Sequence, residues 1–435
     1  ETLEDNFDTS VRNPLAAKLL RRTPMANLPL VLAEPWEVVD HLSGDVLPVQ
    51  GPPGSGKSFS GARMILRLHQ AGKKVGITAN SHAVIDNLMR KVQEAAREQG
   101  VAVPKMVRIQ KDAPKDSAAR VVADAKDALA ELKDGRADVV GGTSWVWASA
   151  PAERSLHTLV VDEAGQMSLA NVVACASAAE NMILLGDPQQ LAQPTQATHP
   201  EGTAASALTH FIGDRPTLSD EQGLFLKHTY RLHPDICAFT SELYYAGRLE
   251  SAPDREKQRL DGVGEFGGSG LRIVHARHEG CRNKSLSEVE VIKSLVERLR
   301  GGSFSNHLGV TRKLLLSDLL VVAPFNSQVN ALRAALPTDV QVGTVDKFQG
   351  REAPVVIYSM TSSSAEDAPR GMSFLYDPHR LNVAVSRAQA MVILVATPVL
   401  FEPPVKSPRQ MELANAMTRF AELAKVVAIP SQEGA

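Results

Sequence analysis

Residues 51–58 read Gly51-Pro52-Pro53-Gly54-Ser55-Gly56-Lys57-Ser58, behind the apolar run Val46-Leu47-Pro48-Val49 and ahead of a helix-like stretch, Phe59–Gln70. The spacing G-x-x-x-x-G-K-[ST] between a strand and a helix is that of a phosphate-binding loop. Its glycines let backbone N–H groups turn inward around phosphate oxygens. Lys57 reaches the β and γ oxygens, and the Ser58 hydroxyl binds Mg²⁺. Gly51, Pro52, Gly54, Ser55, Gly56, Lys57 and Ser58 are therefore the candidate residues for a nucleoside triphosphate and its metal.

Outward from this loop, short apolar runs alternate with helical patterns, the mark of parallel α/β architecture. A first set comprises Val46–Val49, Lys74–Thr78, Asp138–Gly142, Thr158–Val161 and Met182–Leu185. A second comprises Leu271–Val274, Asp318–Ala323, Val340–Thr344, Pro354–Ser359 and Met391–Ala396. Two sets of five strands predict two tandem doubly wound parallel-sheet domains, over residues 46–222 and 223–425. Residues 1–45 are expected to be a lead-in left from an upstream domain, and 426–435 a tail. Three insertions are expected: a charged helical element at 88–137, a mobile surface loop at 250–270, and a long loop at 361–380.

Composition narrows the class. A chain of 435 residues suits two or three domains. With 43% apolar and 22% charged residues and no apolar run near the roughly 20 residues of a membrane span, no membrane partner is expected. Cys175, Cys237 and Cys281 make no disulfide framework, so a reducing, cytoplasmic setting is expected. A cluster held by four cysteines is excluded within these residues. The net charge of −2 is not the footprint of a general nucleic-acid binder, so any polyanion must meet a locally basic groove. The start, Glu1-Thr2-Leu3-Glu4-Asp5, lacks Met and any signal-like apolar run, which suggests a piece of a longer protein.

In open α/β sheets ligands bind beyond the carboxyl ends of the strands, where the polar clusters recur. After Val160-Val161 comes Asp162-Glu163-Ala164-Gly165-Gln166. Asp162 is the candidate Mg²⁺ ligand and Glu163 the base for an attacking water. After Met182–Leu185, Gln190 is the candidate γ-phosphate sensor. In Tyr230-Arg231-Leu232-His233-Pro234, Arg231 is a candidate finger and Tyr230 a face for the purine. Arg387, in Leu381–Ala388, is a second candidate finger.

Taken in order, Gly51–Ser58, Asp162–Gln166, Gly186–Leu191, Tyr230–Pro234, Gly343–Glu352 and Leu381–Ala388 resemble the motifs of superfamily 1B helicases. The branch resembled is that of the nonsense-decay RNA helicase and the replication nuclease-helicase. Asp162–Asn171 and His199-Pro200-Glu201-Gly202 look like bacterial members fused behind a RecB-like nuclease. The resemblance implies two RecA-like domains with helical and loop insertions, ATP and Mg²⁺ as cofactors, and an upstream nuclease in the full-length protein. It assigns Lys57, Glu163, Gln190, Arg231 and Arg387 to catalysis, Tyr230 to base stacking, and Glu352 to the nucleotide ribose.

The same resemblance implies strand contacts at Asn80, Ser81, His82 and Asn87, at Thr143 and Trp145, and at Pro324, Phe325, Gln328 and Thr344. Small hydroxyls and amides suit phosphate, and Trp145 or Phe325 suits a base. Trp145 and Trp147 read equally well as core aromatics.

The chain departs from the family pattern in two ways. The family carries a glutamine upstream of the phosphate loop to read adenine, and here the only glutamine before Gly51 is Gln50. A β-barrel insertion that precedes the loop in the family has little room in 50 residues. Two other patterns carry no chemistry. His275-x-x-His278-x-x-Cys281 offers three ligands where a closed zinc site needs four. Asp124-Ala125-Lys126, a fragment of nuclease signatures, lies in a helical pattern and reads as a solvated face.

The expected function is an ATP-dependent helicase or translocase on single-stranded nucleic acid, DNA favoured over RNA, moving 5′→3′, with polarity resting on the resemblance alone. The alternatives are an ATP-gated clamp without unwinding and an RNA helicase.

Overall fold

The computed structural model describes residues 13–29, 32–111, 117–191, 204–348 and 350–429. The chain divides into two units, one of residues up to Pro52 and from Gly56 to Leu226, the other of Pro53–Ser55 and residues from Lys227 on.

The first unit holds β1 (Val46–Gln50), β2 (Val75–Thr78), β3 (Met106–Ile109), β4 (Arg120–Val122), β5 (Val139–Gly141), β6 (Leu156–Val161), β7 (Ala179–Gly186) and β8 (Leu224–Phe225). They form one sheet in the order β4-β3-β5-β2-β6-β7-β1-β8. Every pairing in it is parallel. The central strands are near-continuous apolar runs because both faces are covered. In β7, Met182 and Leu184 join one core while Ile183 and Leu185 join the other. The first core also takes Trp147 and Phe211, and the second takes Ile65, Leu88 and Val92.

The second unit builds a six-stranded sheet from β12 (Gly270–His275), β15 (Leu319–Val322), β16 (Gln341–Gly343), β17 (Ala353–Ser359), β18 (Ala388–Ala396) and β19 (Lys425–Val426). Its order is β16-β15-β17-β18-β12-β19, again parallel throughout. A pair of short strands, β9 (His228–Thr229) and β10 (Glu250–Ser251), lies apart from it. So does an antiparallel sheet of β11 (Arg259–Asp261), β13 (Ser303–Ser305) and β14 (Thr311–Lys313). All ten expected strands are present, with ends shifted by up to three residues.

Several boundaries differ from expectation. Residues 88–137 are not a helical insertion: they carry β3 and β4, which widen the first sheet, besides helices His82–Glu98 and Ala125–Lys133. Strands of four and three residues amid charged flanks carry too little periodicity to stand out. The loop expected at 250–270 is packed, with Leu260 and Phe266 buried in the core of the second unit. The stretch 361–380 buries Ser362 and Ser363 and contains the helix Met372–Leu375. The first unit extends past 222 because β8 pairs with β1. The described part of the lead-in belongs to the first unit, whose cores bury Leu19 on the helix Pro14–Leu20 and Val38 on the turn Pro35–His41. The expected tail begins inside β19, which pairs with β12. His199–Gly202, Gln349, residues 1–12 and residues 430–435 lie outside the described residues.

Candidate functional site

The strand order sorts the polar loops of the first unit into two groups. Neighbouring strands β6, β7 and β1 end at Asp162, Asp187 and Gly51, while neighbours β5 and β2 end near Thr143 and Asn80. One group carries the nucleotide residues and the other the expected strand contacts.

At the end of β1, Gly51 N–H donates to Gly186 O (2.8 Å), which fixes the root of the phosphate loop on β7. Gly54 and Gly56 take left-handed backbone, φ 75° and 76°, which side chains disfavour. The turn at Gly56 opens the 14-residue helix Lys57–Gln70, whose first N–H groups have no partner within the helix. Ser55 is buried and its hydroxyl has no hydrogen-bond partner, an orphan that an added phosphate oxygen would satisfy.

Lys57 Nζ lies 2.8 Å from Glu163 Oε2 and 3.8 Å from Asp162 Oδ1. Burial works against the lysine's charge, but Glu163 and Asp162 prevail and hold its pKa above the ordinary lysine value. Burial pushes the Asp162 carboxyl up to about 6, with Glu163 adding to the rise and Lys57 opposing it. Glu163 N–H donates to Asp162 Oδ1 (2.9 Å), and Glu163 itself is left-handed at φ 55°. A residue other than glycine holds that conformation at a cost of about 1–3 kcal/mol, so the surrounding fold imposes it.

The neighbouring loop approaches closely. A Cβ at Gly165 would stand 2.7 Å from Asp187 O, so only glycine lets the loops after β6 and β7 meet. Asp187 Oδ2 accepts from Gln190 Nε2 (2.8 Å), which holds the expected sensor at the same edge. Two carboxylates facing one lysine leave room for a further positive charge. The Ser58 hydroxyl and Asp162 carboxylate are hard oxygen donors of the kind Mg²⁺ takes alongside phosphates.

In the second unit, Arg231 Nε bonds Glu352 Oε2 (2.7 Å) and its Nη1 donates to Ser386 O (2.9 Å). Gln389 Nε2 holds the other Glu352 oxygen (2.9 Å). Burial opposes the Glu352 charge, yet Arg231 and Gln389 together keep its pKa below the usual carboxylate value. Arg387 is buried, with Nε donating to Val383 O (2.9 Å). Tyr230 is 58% exposed, and its N–H donates to Gly54 O (2.8 Å). Glu352, Arg231 and the main chain beside Arg387 are thus brought together, and Tyr230 leaves its ring open.

Of the expected strand contacts, Asn80, Ser81, His82 and Asn87 are exposed around the start of the helix His82–Glu98, which Ser81 caps. Thr143 stands at the N-cap position of the short helix Ser144–Trp147, where its side chain makes no capping hydrogen bond. Trp145 is 86% exposed, while Trp147 is buried and donates from Nε1 to Ile77 O and Gly142 O. Thr344 and Phe325 are half-buried and Pro324 is buried. Gln328 must be corrected. It is fully buried, its Oε1 accepting from Ser285 N–H and its Nε2 donating to Ser285 O and Ser359 Oγ. Its position on the inner side of the helix Asn326–Ala335 makes it a structural bolt rather than a strand contact.

Gln50 is likewise engaged internally, bonding Pro216 O and Leu218 N–H, so it holds the segment before β8. His275, His278 and Cys281 do not converge. His278 is buried against Glu288 (3.0 Å), His275 packs edge-on to Phe401, and no group of three metal-binding side chains occurs among the described residues. Asp124 caps the helix Ala125–Lys133.

One residue escaped the sequence reading. Arg108, inside β3, is buried and bonds Asp86 Oδ1, Ile109 O and Gly141 O, and contacts His82 Nδ1. It ties two strands to the helix bearing the strand-contact loop. A charged residue within the run Met106–Ile109 was the available signal.

Two family profiles described as an AAA domain match residues 38–134 and 206–398, and one described as a viral superfamily 1 RNA helicase core domain matches 121–250. The chain is 27% identical over 353 residues to Helicase sen1 of Schizosaccharomyces pombe, covering 76% of this chain and 20% of that protein. It is 27% identical over 386 residues to the DNA replication ATP-dependent helicase/nuclease DNA2 of Xenopus laevis, covering 81% and 36%. It is 24% identical over 403 residues to the Regulator of nonsense transcripts 1 homolog of Drosophila melanogaster, covering 80% and 33%. The chain therefore spans a fifth to about a third of the length of these relatives. Among solved structures, the complex of Arterivirus nonstructural protein 10 (helicase) with DNA covers 85% of this chain and 63% of its own, with 14% identity and a TM-score of 0.45.

Proposed function

As this chain is a superfamily 1B helicase core of the Upf1-like branch, we propose that it is an ATP-driven motor on single-stranded nucleic acid, DNA before RNA, moving 5′→3′. The observation that carries this reading is Lys57 held against Glu163 and Asp162, a charge arrangement suited to a triphosphate with Mg²⁺. Ser58 and Asp162 would hold Mg²⁺, which would supply charge neutralisation to the triphosphate. Lys57 leaves Glu163 for the γ-phosphate, which frees that carboxylate to take a proton from water. Gln190 holds the water or the γ-phosphate edge.

In the proposed cycle Arg231 and Arg387 serve as fingers, Glu352 takes the ribose and Tyr230 the base. Hydrolysis releases these groups, and the alternation moves the strand past Asn80–Asn87, Thr143 and Trp145 in one unit and Pro324, Phe325 and Thr344 in the other. The order of the motifs supports these assignments, and the polarity rests on family likeness. An upstream RecB-like nuclease in the full-length protein and a cytoplasmic location belong to the same reading.

The test is ATP hydrolysis titrated with single-stranded DNA, single-stranded RNA and duplex side by side, then displacement from duplexes tailed at either end. Stimulation by single-stranded DNA with displacement from a 5′ tail is expected. Hydrolysis with no displacement from either tail marks a clamp, and stimulation by RNA alone marks an RNA motor.

A further inference from the structure

β16 is the last strand at one edge of the second unit's six-stranded sheet. A cavity of about 370 Å³ opens there, between the strand, the end of the helix Asn326–Ala335 and the turn Asp346–Phe348. Three cations line it, Arg333, Lys347 and Arg351, and no carboxylate does. Arg333 donates from Nε and Nη2 to Val342 O (3.3 and 2.9 Å), and Arg351 Nη1 donates to the neutral amide oxygen of Gln341 (3.0 Å). None of the three stands in an ion pair among the described residues. The carboxylates closest in sequence are drawn elsewhere, Asp346 to Arg380 (3.2 Å) and Glu352 to Arg231 (2.7 Å), while Asp339 lines a different cavity.

Beneath the cations the cavity is apolar, floored by the buried side chains of Val340, Val342 and Phe348. The Lys347 stem and the Phe348 ring pack over Gly343, 3.1 and 3.0 Å from where a Cβ there would stand, so the strand beneath fixes both. Arg333 occupies the Val342 carbonyl on this edge strand, which stops a further strand from pairing at that point. An occupant is therefore read through its side chains. In a chain of net charge −2, three cations without a counter-charge around an apolar floor call for an anion that carries an apolar group. We propose that this cavity docks a short acidic segment of a partner protein, with an aliphatic side chain on the floor and carboxylates on Arg333, Lys347 and Arg351.

Nucleic acid fits the cavity less well. A single strand is held by a row of cations with open aromatic faces between them, and the one ring that lines this cavity, Phe348, is buried. A phosphodiester also offers nothing to cover Val340 and Val342. The volume lies at the small end of the roughly 300–1,000 Å³ of ligand sites, which suits a short peptide segment rather than a folded face. The motor reading gives Arg333, Lys347 and Arg351 no role, so the proposal stands apart from it.

The experiment titrates the full chain against a labelled hexapeptide, Asp-Asp-Leu-Leu-Asp-Asp, and reads fluorescence anisotropy. Saturable binding that weakens with salt is expected. The peptide Asp-Asp-Gly-Gly-Asp-Asp, which leaves the floor uncovered, should bind about tenfold more weakly. Lys347→Glu puts repulsion in place of attraction at an exposed side chain, and should weaken the leucine peptide by about tenfold with melting unchanged. Lys406→Glu makes the same charge change at a side chain outside the cavity, 77% exposed, and should move the affinity by less than about twofold. No saturable binding up to about 1 mM overturns the proposal. So does an equal loss in Lys347→Glu and Lys406→Glu, which marks bulk charge, and so does a glycine peptide that binds as tightly as the leucine one. Displacement of the peptide by an equal concentration of single-stranded oligodeoxythymidine overturns it too, and assigns the cavity to nucleic acid.

Discussion

Lys57 and Glu163 meet at 2.8 Å across the loops after β1 and β6, and Glu163 reaches that position only through a left-handed backbone. The pair is a poised arrangement. One cation is shared by two carboxylates in a buried setting, so the free protein carries an excess of negative charge that a divalent cation beside Asp162 would offset.

Lys57→Ala and Glu163→Gln should therefore fail differently. Removing Lys57 leaves Asp162 and Glu163 facing each other unpaired, and both triphosphate affinity and turnover should collapse. Glu163→Gln keeps the shape but not the base, so hydrolysis should fall by about 10²–10⁴ while ATP still binds. Phosphate release and nucleotide titration on the two variants check this. Near-normal turnover in Lys57→Ala removes the phosphate-loop assignment.

Trp145 and Gln328 should separate strand binding from stability. Trp145 is exposed, so Trp145→Ala should weaken single-stranded DNA by about tenfold with little change in melting. Gln328→Ala strands the Ser285 N–H in the interior and should cost about 1–3 kcal/mol of stability, with strand affinity unchanged. Fluorescence anisotropy and chemical denaturation report the two. A Gln328→Ala variant that folds normally but loses the strand would reverse the assignment.

Stability should decline on mild acidification. Burial holds the pKa of His82, His157, His210, His233 and His275 below the ordinary 6.5. Each takes a proton more readily when unfolded than in the fold, so its contribution is full above 6.5 and lost as pH falls toward the folded values. Asp162 acts with the opposite sign: its pKa is raised, so it favours the fold below 3.8 and loses that contribution as pH rises through about 6. Five histidines against one carboxyl predict a lower melting temperature at pH 5.5 than at 7.5. His233 accepts the N–H of Asp235 at a helix start, and His233→Asn should flatten part of the slope.

Thiol labelling should be selective. Cys175 and Cys237 are buried, and burial pushes both pKa values up to about 12, leaving about one thiolate in ten thousand at pH 8. Cys281 is half-buried. A maleimide at pH 8 should add one label per folded chain, at Cys281, and three after denaturation. Mass spectrometry of the digested product reads the site, and label on Cys175 in the folded chain contradicts the packing.

Much of this could be read from residue order alone. The phosphate loop, Asp162-Glu163 and the ten apolar runs are local signals, since a glycine pattern, a strand end and a short β-branched run each state their own conformation. Gln328 could not be placed that way. Whether an amide on a helix faces a strand of nucleic acid or a serine in the core depends on which side of Asn326–Ala335 packs inward. β3 and β4 were hidden because strands so short are recognised by their neighbours rather than by periodicity.

The amino-acid order by itself determined the phosphate loop, the α/β class and the likeness to helicases, because these rest on spacing along the backbone. Only the tertiary structure decided that Gly165 and Asp187 touch, that Trp145 points out while Trp147 points in, and that Arg333, Lys347 and Arg351 line one cavity. Those facts arise when distant segments compete for the same space, and that competition is settled by packing.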